Sequence, residues 1–168
     1  MAEAPRSRTP LYIGLGLGGC LLLVVLGAVA VPVLGVLGAI AIPNFVAMQL
    51  KAQRAELPAN VDGIKTAELA YAAAYDGFVA ASSRAEAERQ IGSDAGKEQR
   101  PWRDETGFTT VGWRPDGNVR GAYWVEAAPG GTDFTVHGIC DVDGDGQYAE
   151  YTATTSINAT PITSPDVY

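Results

Sequence analysis

The chain has 168 residues, 47% hydrophobic and 18% charged, with a formal net charge of −7, yet residues 9–50 carry no charge at all. Residues 51–168 hold 10 basic and 18 acidic side chains, a net charge of −8. The uncharged run argues against a freely soluble cytosolic enzyme, because it exceeds the roughly 20 apolar residues that cross a bilayer, and the acidic remainder argues against nucleic acid, which it repels instead of releasing counterions.

Three segments follow from this arithmetic: a short N-terminal piece over 1–10, an apolar transmembrane helix over 11–50 and an acidic head over 51–168. Arg6 and Arg8 precede the apolar run closely, which keeps the N-terminus cytoplasmic and puts the head outside. Lys51 and Arg54 place a similar basic count on the other flank. Signal-peptide cleavage after Ala28-Val29-Ala30 is disfavoured, because the chain stays apolar where a mature protein turns polar. The same objection applies to Cys20 as a lipoprotein cysteine, since Leu-Leu-Leu-Val-Val-Leu follows it. Cys20 and Cys140 are expected on opposite sides of a membrane boundary and cannot form a disulfide within one chain.

The apolar run is rich in glycine, and Gly14 and Gly18 stand four residues apart, a spacing that lets membrane helices approach closely. Pro32 and Pro43 each remove a backbone donor and are expected to kink or open the helix. Residues 35–43 read Gly-Val-Leu-Gly-Ala-Ile-Ala-Ile-Pro, continuing into Asn44-Phe45 and then Val-Ala-Met-Gln-Leu-Lys-Ala-Gln-Arg. Over about 25 residues this resembles the N-terminal helix of bacterial type IV pilins. The resemblance implies a helix in which Gly35, Ile40, Ile42 and Pro43 serve anchoring or packing, in a chain that associates with itself or with other pilin-like subunits. It also implies a processing site between Leu21 and Leu22 and a glutamate at the position of Leu26, and this sequence has neither. A free amine without a carboxylate partner is costly in hydrocarbon, so the expectation is an unprocessed pilin-like protein that keeps its whole anchor.

In the head, Asn60 after Pro58 looks like a helix cap. Ile64, Ala67, Tyr71, Ala74, Tyr75 and Phe78 recur at three- and four-residue spacing as one apolar stripe, expected to pack on a sheet. Ser83-Arg84-Ala85-Glu86 has the form of a capping box opening a short second helix that ends near Gly92, and residues 92–106 read as a solvated loop. Four runs with period two, at 108–113, 119–126, 134–141 and 148–155, predict an up-and-down antiparallel sheet. Residues 115–118, 129–131 and 144–146 supply its turns. The expected fold class is therefore α+β: a long N-terminal transmembrane and amphipathic helix packed on a four-stranded antiparallel sheet, type IV pilin-like.

Catalysis has little support. His137 is the one histidine, and no HExxH, CxxC or GxSxG occurs, so neither an enzyme nor a small-molecule substrate is expected. Asn158-Ala159-Thr160 fits a glycosylation acceptor and reads as a polar tail. The specific pattern is Asp141-Val142-Asp143-Gly144-Asp145-Gly146, which matches the first half of a calcium loop, with carboxylates at alternate positions and glycine sixth. Position twelve is Thr152 in place of a bidentate glutamate, and Asp and Gly are also what a plain hairpin turn requires. The sequence is consistent with two functions. One is a structural or interaction protein anchored in the cytoplasmic membrane of a bacterium, reaching the pilus or cell surface if processed. The other is a calcium-responsive extracytoplasmic binding module built on Asp141, Asp143 and Asp145.

Overall fold

A computed structural model describes the backbone of residues 9–92 and 97–168, and the side chains within those spans from Val24 onward. Arg6 and Arg8, and the side chains of Cys20, Leu21 and Leu22, lie outside the described residues. The chain divides into two units, the first ending at Val46 and the second spanning Ala47–Tyr168.

The first unit is helix. Helix α1 runs over Thr9–Arg54, and its part up to Val46 belongs to this unit. A helix satisfies its backbone groups internally, which is what an apolar segment needs where no water is available. The side chains have no cover: Val24, Leu34 and Ile42 are 68%, 65% and 66% exposed. The stretch is long and apolar enough to cross a membrane. Contrary to the expected opening, α1 continues through both Pro32 and Pro43. Each proline forgoes one bond, to the carbonyls of Ala28 and Ala39, and the flanking turns hold the helix.

The second unit is the head. It contains the end of α1, then α2 (Glu56–Tyr75), α3 (Arg84–Ile91), α4 (Thr106–Thr110), β1 (Ala122–Ala127), β2 (Phe134–Cys140), β3 (Ala149–Thr154) and β4 (Thr160–Pro161). The division between α1 and α2 falls at Ala55, because Pro58 has no N–H to offer the Arg54 carbonyl. Pro58 and Asn60 therefore sit inside the first turns of α2, and Ala55 is the cap residue in place of Asn60. The Asn60 amide instead donates to the Tyr123 hydroxyl at 2.8 Å.

The strands form an antiparallel meander in the order β1-β2-β3-β4. Ala127 pairs with Phe134 and Trp124 with His137 across the first hairpin, and Ile139 pairs with Glu150 across the second. Strand alternation gives the sheet two faces. Tyr123, Val125, Phe134, Val136, Cys140, Ala149 and Ala153 pack with Leu57, Val61 and Ile64 of α2. On the other face Ala122, Trp124 and Ile139 pack with Ala87 and Ile91 of α3. Close approach to α2 needs Gly138, where a Cβ would stand 2.7 Å from Val61.

Two further expectations differ from the structure. Residues 108–113 are not a strand: Phe108 lies in α4 and Trp113 just past the Val111-Gly112 turn that follows it. The Thr109 and Thr110 hydroxyls bond back to the Thr106 carbonyl, and Phe108 and Trp113 converge with Trp102 in an aromatic cluster. The fourth strand is instead the short β4. The buried face of α2 follows the expected stripe only in part: Ile64 is buried and Phe78, just past the helix, packs on the core, but Tyr75 is 71% exposed and the buried residues of the helix are Leu57, Val61, Ile64, Lys65 and Glu68. Two of these five are charged, and a hydrophobic periodicity does not count them. The short second helix expected from the capping box is present as α3, and it covers the other face of the sheet.

Candidate functional site

Strand β2 ends at Cys140 and the chain reverses before β3. Gly144 and Gly146 take φ values of 72° and 83°, a region that a Cβ resists. Asp141, only 3% exposed, organises the reversal: its Oδ1 accepts the N–H of Gly144 at 2.6 Å and of Asp145 at 3.2 Å, and its Oδ2 that of Gly146 at 3.0 Å. Asp145 Oδ1 accepts the N–H of Gln147 at 2.8 Å. Val142 donates its N–H to the Tyr168 carbonyl at 3.1 Å, so the C-terminal segment lies against the turn. Arg54 holds the same segment, donating to the carbonyls of Pro165 and Val167 and lying over the Tyr168 ring.

The fold thus brings Asp141, Asp143 and Asp145 together, with one carboxylate oxygen from each lying within 4.8 Å of the others. That spread matches ligands on opposite sides of a calcium ion with bonds of about 2.3–2.6 Å. Burial, and next the charge of Asp145, raises the Asp143 carboxyl from its ordinary value, and the second of these is a repulsion that a cation would relieve. The three residues fit a weak divalent site, with remaining ligands from water or carbonyls. They also make a complete turn without an ion, because both Asp141 oxygens already accept backbone N–H groups. A cationic side chain is close by as well: Lys97 Nζ stands 2.8 Å from where a Cβ on Gly144 would be.

Glu150 does not join this turn. Its carboxylate, 6% exposed, pairs with Arg84 at 3.1 Å and with His137 Nδ1 at 3.3 Å on the α3 side of the sheet. His137 stacks on Trp124 with ring centroids 4.5 Å apart and an interplanar angle of 3°, and Trp124 donates its indole N–H to Glu126 at 3.0 Å. The histidine is thereby held by its neighbours as part of a structural network. The pairing could have been found in the sequence, since residues equidistant from Gly130 and Gly131 fall opposite each other in a hairpin. Arg84 and Glu150 are joined by tertiary packing and carry no local signal.

Gly35, Ile40, Ile42 and Pro43 all lie on α1. Ile40 is 60% exposed, and a Cβ on Gly35 would meet nothing within 4 Å. Leu26, at the position where the pilin resemblance implies a glutamate, is 56% exposed. Comparison of the chain with protein-family models, with curated proteins and with solved structures gives no match.

Proposed function

We propose that this chain is a structural or interaction protein of the type IV pilin-like kind, anchored in the cytoplasmic membrane by α1 and displaying its acidic α+β head outside. The observation that carries the reading is the uncharged apolar surface of α1, whose described side chains from Val24 to Met48 are largely exposed. A continuous surface of this kind is unfavourable in water and satisfied in hydrocarbon. The run at 35–43 and the order of helix before antiparallel meander support the pilin-like form. Leu26 in place of a glutamate supports a retained anchor over assembly through a buried charge pair. No catalytic role is proposed for the head. The test is alkaline carbonate extraction of membranes, paired with protease treatment of intact spheroplasts. The chain is expected to stay in the membrane pellet and its head to be digested from outside; release by carbonate, or a head protected from protease, contradicts the reading.

The convergence of three carboxylates favours a second reading, a calcium-responsive binding module. Millimolar calcium is then expected to raise the melting temperature by about 3 °C, with the gain lost in Asp145→Asn. An unchanged melting curve at saturating calcium ends this reading.

A further inference from the structure

The head carries a cavity of about 260 Å³ whose wall includes Arg89, Gln90, Arg100, Trp102, Arg103 and Val119. Three of the ten basic residues of an acidic segment converge on it, and no carboxylate is among its lining residues. Arg100 is fixed in place, donating to the carbonyls of Arg120 and Gly121 at 2.8 and 2.7 Å. Arg89 is steadied by Glu86 and by the Ala85 carbonyl. Among the described residues Arg103 makes no ion pair or side-chain hydrogen bond, and the buried indole N–H of Trp102 has no acceptor. Gln90 spends its amide N–H on Glu105. The wall therefore includes one guanidinium, Arg103, that no described carboxylate pairs with, beside Arg89, which shares its charge with Glu86.

Such a wall is complementary to an acceptor-only group bearing negative charge, for which planar guanidinium forks are suited. The volume, near the lower end of about 300–1,000 Å³ for ligand pockets, restricts the occupant to a small molecule. We propose that this cavity binds a small oxyanion, a carboxylate or phosphate compound, with Arg103 and Arg89 as its charge partners.

The experiment uses the full chain in maltoside micelles. Phosphate, then citrate, is titrated into the millimolar range against sodium chloride of matched ionic strength, which controls for general screening. Melting temperature and tryptophan emission are both recorded. One of the two oxyanions is expected to raise the melting temperature saturably, by about 3 °C or more, and to change the emission. Arg103→Gln is expected to weaken the response about tenfold while melting normally without anion, and Arg89→Gln to weaken it independently. A chloride response equal to that of both oxyanions, no response to either, or a wild-type response in both variants overturns the proposal.

Discussion

Glu68 is fully buried in the head; its Oε2 accepts the Val79 N–H at 3.0 Å while Oε1 has no partner. Burial raises this carboxyl above its ordinary value, with the Val79 bond opposing in part. The protonated form is thus favoured by the fold. Its stabilisation is complete below the unfolded value of about 4.3 and is lost as pH rises through the higher folded value. Glu68→Gln cannot ionise, so thermal melts from about pH 4 to pH 8 are expected to show the variant gaining on the wild type as pH rises. A difference that stays constant with pH contradicts this. Cys140 is buried too, its thiol pushed up to about 12 mainly by burial and next by the charge of Glu56. The thiolate is the reactive species, so in a Cys20→Ser background a maleimide at about pH 8 is expected to label Cys140 slowly when folded and rapidly in denaturant. Fast labelling of the folded head would contradict its burial.

Among the elements, α3 and the start of α2 have specific fastenings. Ser83 accepts the Glu86 N–H at 3.2 Å as the cap of α3, and Ser83→Ala is expected to cost about 1 kcal/mol in urea unfolding. The Glu56 carboxylate accepts the N–H of Arg120 at 2.9 Å and of Gly121 at 3.2 Å, and the Tyr123 hydroxyl at 3.1 Å. Glu56→Ala leaves three groups to find other partners and is expected to cost about 1–3 kcal/mol in the same measurement. The Ser83 cap was legible in the sequence because a capping box is a local pattern, and the turn at Gly144 and Gly146 was legible for the same reason. Phe108 was misplaced because alternation over five or six residues does not distinguish a short strand from a helical turn tied by its own threonines. The buried face of α2 was shifted because Lys65 and Glu68 find partners, Asn158 and Val79, that lie beyond the reach of periodicity. The arginine cavity had no sequence signal either, since Arg89 and Arg103 meet only once α3 has docked on the sheet.

Over the full chain, the uncharged residues 9–50 and the acidic residues 51–168 differ sharply in polarity. The apolar helix was evident from composition alone, and its described side chains, exposed from Val24 onward, are compatible with a membrane span. The head folds around two small clusters on opposite faces of one meander, and it keeps its charges for turns, ion pairs and the proposed anion cavity. In the proposed function, Leu22 and Leu26 are the residues that separate a retained anchor from a processed filament subunit. Intact mass spectrometry of the chain extracted from membranes with detergent tests that claim most directly. A retained anchor predicts a mass corresponding to a chain that begins at or near Met1, recovered from the membrane fraction. A chain beginning near Leu22, or one beginning near Val31 and found in the soluble fraction, would contradict it.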